Sequence, residues 1–178
     1  LYTSSIAVEN PQTDKYPAWA KKTAETLIEA MRIQYPEGTK YCIVRPANVY
    51  GRYDNFNNPD AMVVTSLINK ALTQDKIEVW GDGTQIRDFI NAKDVAKGMM
   101  LAMEGLPEHP VNLCSGEGVM IEQIANHISK LTNKPIVFNM KETTGDQRRV
   151  MEPNWGFRPS INIYDGIKEV IEWKQKEK

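Results

Sequence analysis

The sequence predicts an α/β fold with a largely parallel sheet, on three observations. Strand-like and helix-like segments alternate almost throughout. Some of the strand-like segments are short unbroken apolar runs, which suits strands covered on both faces. The chain of 178 residues is 41% hydrophobic and 25% charged, enough for one real core in a globular protein.

The elements follow in order. Residues 17–35 read as a helix: Ala18, Ala24, Leu27, Ile28 and Met31 recur at helical spacing, and Tyr35-Pro36-Glu37-Gly38 ends it. Tyr41-Cys42-Ile43-Val44 reads as a buried strand closed by Arg45-Pro46. Residues 51–60 form a polar loop. Residues 62–72 are helical, with Met62, Val63, Leu67, Ile68, Ala71 and Leu72 on one side. Residues 77–80 form a short strand stopped by Gly81-Asp82-Gly83, and 86–90 are extended. Asn91 can cap a helix over 91–105. A strand at 111–114, a helix at 120–131 and a strand at 135–139 come next. The last helix covers 164–176, and the least regular stretch, 141–158, is expected to be a long loop. No composition shift marks a linker.

Composition excludes several function classes. The formal net charge is −1 and no basic run is present, so neither nucleic acid nor a membrane surface is an expected partner. No apolar stretch approaches the ~20 residues of a membrane span, and no signal peptide is visible. A cytoplasmic location is expected. Cys42 and Cys114 lie in apolar runs and read as core thiols of a reducing compartment. His109 and His127 lack a ligand partner at metal spacing, so no metal site is expected. Trp80, Trp155 and Trp173 read as packing residues.

The stretch KYPAWAKK, residues 15–22, raises a chemical question. A lysine ammonium near a tyrosine favours the phenolate, which can then exchange a proton with an alcohol. A tyrosine four residues before a lysine shares its helix face. Tyr16 precedes Lys21 by five residues, about 500° of helix rotation instead of about 400°. The position four before Lys21 is Pro17. Proline is favoured in a first helical turn. With Pro17 as the first helical residue, Tyr16 is a cap residue whose ring is free to swing toward Lys21. A surface tyrosine before a helix is the alternative.

Several motifs, in order, resemble the extended short-chain dehydrogenase/reductases of the nucleotide-sugar epimerase/dehydratase family. Ser4-Ser5-Ile6-Ala7-Val8 resembles the family's strand-end serine segment, and Ala18 to Glu25 its catalytic-lysine helix. Arg45-Pro46-Ala47-Asn48-Val49-Tyr50-Gly51 is similar to the stretch after the sixth strand, and Val79 to Met99 to the segment with the sugar-nucleotide arginine. Asn112 to Gly118, Gly145 to Val150 and the closing helix match in order. The stretches NVYGRYDNF and GDQRRVM are nearest the GDP-fucose-synthase type.

The resemblance implies a fold, a reaction and a site. Residues 1–50 would end a Rossmann-type dinucleotide-binding domain. Residues 51–178 would be mainly a small α/β substrate-binding domain, with segments returning to the first sheet. The reaction would be hydride exchange between a sugar carbon and NAD or NADP. Ser5 would orient the sugar oxygen, and Lys21 would bind the nicotinamide ribose and tune a tyrosine; Tyr16, the tyrosine near enough to replace the one the family has at position 17, would carry the proton. Pro46 and Ala47 would line the nicotinamide side. Asn48, Arg87 and Arg149 would hold the nucleotide-diphosphate sugar, an arginine fork being suited to two phosphates. A surface ion pair with Asp88 or Asp94 is the plainer reading of Arg87. Tyr53 and Phe56 either border the sugar or face solvent. Leu27 and Met31 either serve a homodimer of the complete protein or are core.

Departures from the family pattern are equally specific. Pro17 holds the tyrosine position, and Glu9-Asn10 replaces the usual Tyr-Gly. No GxxGxxG or GxGxxG turn occurs, so the site for the cofactor pyrophosphate is incomplete in this chain. The sequence opens Leu1-Tyr2-Thr3-Ser4-Ser5 and reads as the C-terminal portion of a longer enzyme, inactive by itself. The alternative is a non-catalytic relative that binds a nucleotide sugar or a partner.

Overall fold

The computed structural model describes residues 1–142 and 146–177, without the side chains of 12–15. Gly145, the first residue of one motif above, lies outside the described residues, as does the side chain of Lys15. The described residues build ten strands: β1 (Tyr2–Thr3), β2 (Ile43–Pro46), β3 (Asn48–Tyr50), β4 (Ile77–Trp80), β5 (Ile86–Arg87), β6 (Phe89–Asn91), β7 (Val111–Leu113), β8 (Val119–Met120), β9 (Ile136–Asn139) and β10 (Arg148–Arg149). Among the same described residues are the α-helices α1 (Pro11–Gln34), α2 (Val63–Thr73), α3 (Ala92–Gly105), α4 (Ile121–Thr132) and α5 (Ile163–Lys176). A 3-10 turn, Ile6–Glu9, joins β1 to α1.

The α/β expectation holds, and pairing is mostly parallel. β1, β2 and β7 form one parallel sheet in that order, with Tyr2 opposite Ile43 and Val44 opposite Val111. β3 pairs with β6, and β4 with β9, both parallel. β5 pairs with β10 in parallel and with β8 antiparallel. The core gathers in two clusters. One surrounds α2, α4 and α5, with Ile68, Ile77, Ile124 and Ile167 fully buried. The other packs Val44, Ile90, Leu113, Met151 and Phe157 against α3. Gly98 on α3 lets that helix close on β7: a Cβ there would come within 2.7 Å of Leu113.

The start of α1 corrects the sequence reading. Pro11, not Pro17, takes the favoured proline place in the first turn, and Pro17 lies inside the helix. Tyr16 is therefore a helical residue, not a cap. An interior proline removes one helical hydrogen bond, at a cost of about 3 kcal/mol. Asn91 caps α3 as expected, its side chain accepting from the Lys93 N–H at 3.0 Å. No helix among the described residues is long and apolar enough to cross a membrane.

Candidate functional site

Two arginines define the site. Arg87 and Arg149 are register partners on the parallel pair β5–β10, so their side chains leave the same face of neighbouring strands. Both line a cleft of about 570 Å³ together with Asn48. The strand alternation has a local cause. Asp88, next to Arg87, turns fully inward: its carboxylate accepts from the Ser115 N–H and hydroxyl at 3.0 and 2.6 Å and from the Gly116 N–H at 3.0 Å. Burial pushes the Asp88 carboxyl up from the usual range, and those donors pull against it. With Asp88 fixed inward, Arg87 points to the cleft.

Asn48 sits at the start of β3, nearly buried, and its Nδ2 donates to the Asp88 carbonyl at 2.7 Å. Arg149 donates through Nη2 to Asp146 at 2.7 Å, and Arg87 Nη1 donates to the Ile86 carbonyl at 2.9 Å. Asp94, the other candidate partner of Arg87, accepts from Ser160 and the Ile161 N–H. The cleft thus presents two adjacent guanidinium groups and a primary amide, a donor set matched to anionic oxygens.

A second group gathers at the carboxyl ends of β1 and β2. Lys21 Nζ donates to the Thr3 carbonyl at 2.7 Å and stands 5.2 Å from the Tyr2 ring centroid. Ser5 caps the 3-10 turn, its Oγ accepting from the Ala7 N–H at 3.2 Å. Pro46 ends β2, and Ala47, 5% exposed, follows it. Glu25, one turn beyond Lys21, is buried and clamps Arg45 of β2 through bonds of 2.8 and 2.5 Å. Burial alone would raise the Glu25 carboxyl; the Arg45 bonds and charge reverse this and hold it below the usual range. Helix α1 is thereby fixed to the end of the sheet, where parallel α/β sheets place their ligands.

Tyr16 stands apart from this group. It is 88% exposed, and five helical residues put it about 140° around α1 from Lys21. Pro17 occupies the lysine's face. Leu27 and Met31 are not core; they are 60% and 42% exposed on α1. Phe56 is buried against Trp173, and Tyr53 lies edge-on to the same ring at 5.2 Å. Trp80 also departs from the packing reading, being 51% exposed on the cleft wall beside Lys70 and Glu78. The signal was present in β4: Ile77 and Val79 are buried, so strand alternation turns Glu78 and Trp80 outward. Among the described residues no group of three or more His, Cys, Asp or Glu could hold a metal ion.

The chain is thus a largely parallel α/β protein with Lys21 of α1 at the strand ends and a cleft lined by two arginines. The chain belongs to the NAD dependent epimerase/dehydratase family, whose model matches residues 4–114. It is 29% identical to the "Probable GDP-L-fucose synthase 1" of Oryza sativa subsp. japonica over 90% of this chain and 52% of that one. It is 33% identical to UDP-glucuronic acid decarboxylase 5 of Arabidopsis thaliana over 83% of this chain and 44% of that one. The crystal structure of a GDP-L-fucose synthetase from Naegleria fowleri bound to NADP has the same fold, with TM-score 0.85 and 22% identity over 98% of this chain and 65% of that one. The chain spans about half the length of the curated relatives it matches.

Proposed function

We propose that this chain is the substrate-holding portion of a nucleotide-sugar epimerase, reductase or dehydratase that works with NAD or NADP. The observation that carries the reading is the register pairing of Arg87 with Arg149 along one cleft. Two guanidinium groups carried on neighbouring parallel strands suit a diphosphate, and Asn48 adds an amide to the same cleft. The division follows the same reading: residues 1–50 close the dinucleotide-binding domain, and 51–178 are mainly substrate domain. The complete protein is cytoplasmic and a homodimer, its interface drawing on the exposed Leu27 and Met31.

Ser5, Lys21, Pro46 and Ala47 fit the nicotinamide side of a dinucleotide, because they share the carboxyl ends of parallel strands. The phosphate-cradling turn is not among these residues. A bound NAD or NADP would supply hydride exchange at a sugar carbon. Ser5 then holds the sugar oxygen, Lys21 supplies positive charge beside it, and Tyr16 is assigned the proton. Pro46 and Ala47 present an apolar surface that excludes water.

A second reading is favoured by one specific observation, the place of Tyr16. It faces away from Lys21 on a continuous helix, and Pro17 has no proton to give. On that reading the protein binds a nucleotide sugar without converting it. One experiment separates the two. The intact protein is assayed for nucleotide-sugar binding by calorimetry and for turnover with NAD or NADP, beside Tyr16→Phe. Binding with turnover lost only in Tyr16→Phe supports the first reading; unchanged turnover in that variant removes Tyr16 from the mechanism. Binding with no turnover in either form supports the second. Absence of binding overturns both.

A further inference from the structure

The wall of the cleft beyond the arginines carries groups that a diphosphate does not use. Glu78 and Trp80 leave the same face of β4, and both line the cleft with Lys70 of α2. Lys70 Nζ donates to the Glu78 carbonyl at 2.8 Å, stands 3.8 Å from the Glu78 carboxylate and 5.6 Å from the Trp80 ring centroid. Asn139 of β9 donates to Glu78 Oε1 at 3.1 Å. The carboxylate is thus held in place from two sides. A carboxylate has about four acceptor sites, and Asn139 takes one of them.

We infer that Glu78 reads the nucleobase and selects guanine. This rests on the diphosphate reading of Arg87 and Arg149. A guanine edge offers two donors side by side, N1–H and the 2-amino group, which match the two oxygens of a carboxylate. Uracil and thymine offer one N–H between two carbonyl oxygens, and those oxygens meet the carboxylate's negative charge. Adenine sets an acceptor nitrogen beside its amino group. A site that hydrogen-bonds a donor rejects an analogue lacking it, since its own polar group is left unpaired.

The test uses the intact protein and calorimetric titration with GDP, IDP, UDP and ADP. IDP keeps the N1–H of GDP and lacks only the 2-amino group. GDP is expected to bind at least about tenfold tighter than IDP and UDP. Glu78→Gln, with an unchanged melting temperature as its folding control, is expected to close the GDP-to-IDP gap. The comparison of GDP with IDP in the unaltered protein needs no variant. Equal affinity for GDP and IDP, or UDP or ADP as tight as GDP, overturns the assignment of Glu78 and leaves the diphosphate reading standing. A preference that survives Glu78→Gln also overturns it. Failure of all four to bind overturns the nucleotide reading and the base reading together.

Discussion

Lys21 Nζ donates to the carbonyl of Thr3 at 2.7 Å, so the lysine of α1 is drawn to the end of β1 and away from Tyr16. The residue one turn before Lys21, and so on its face, is Pro17. Pro17→Tyr puts a phenol beside the ammonium and restores the helical N–H that proline lacks. If Tyr16 is only a surface residue, Pro17→Tyr is expected to raise turnover by at least about a hundredfold, the lower range of general acid–base catalysis. Steady-state rates of the intact protein, with and without this substitution, measure it. No gain in Pro17→Tyr, with activity already present in the parent, places the proton elsewhere.

The paired arginines give a second prediction. Arg87→Ala removes one guanidinium from the Arg87–Arg149 pair while the buried Asp88 keeps the strand in place. Charge-assisted hydrogen bonds contribute about 1.5–3 kcal/mol, so nucleoside-diphosphate affinity is expected to fall about ten- to a hundredfold. Affinity for the matching monophosphate should fall less. Calorimetry on both ligands checks this, and an equal loss for both would mean that Arg87 does not distinguish one phosphate from two.

How much of this was legible beforehand depends on distance along the chain. The cap at Asn91 was readable because the residue and the N–H it binds are two positions apart. The start of α1 was misread because two prolines compete for one role and only the fold decides between them. Strands β3, β8 and β10 are two or three residues long and owe their form to the strands beside them, so periodicity carries no trace of them. Arg87 and Arg149 could each be named from a motif. Their pairing could not, because it is a register between strands far apart in sequence. Glu78 goes unnamed and Trp80 is read as packing although β4 alternates, since the alternation spans a single short strand.

Glu25 and Arg45 predict a pH-dependent stability. Glu25 has its folded pKa held below the ordinary value: burial raises it, and the Arg45 hydrogen bonds and charge lower it further than that. A depressed carboxyl stabilises the fold at pH above its unfolded pKa, about 4.3. That contribution is lost as pH falls through the lower, folded value. Removing one partner of a buried pair leaves a charge uncompensated and costs about 3 kcal/mol. Glu25→Gln should therefore unfold at markedly lower denaturant than the parent at pH 7. Below pH ~4 the difference should shrink. Urea titrations at both pH values measure it, and a constant difference would show that the ion pair is not its source.

Cys114 gives the last prediction. It is 1% exposed, its Sγ lies 3.8 Å from the Met151 carbonyl, and the Asp88 carboxylate is near. Burial, with the Asp88 charge adding to it, pushes the thiol up to about 12. The thiolate is the reactive form, and a free cysteine ionises near pH 8.5. At pH 8 native Cys114 should resist iodoacetamide and become labelled only when the chain is unfolded in urea. Mass spectrometry of the peptide around Cys114, before and after urea, decides this. Because the same Asp88 carboxylate holds Ser115 and Gly116, Asp88→Ala should open that loop and make Cys114 reactive in the folded protein. Protection that persists in Asp88→Ala would mean that core packing alone shields the thiol.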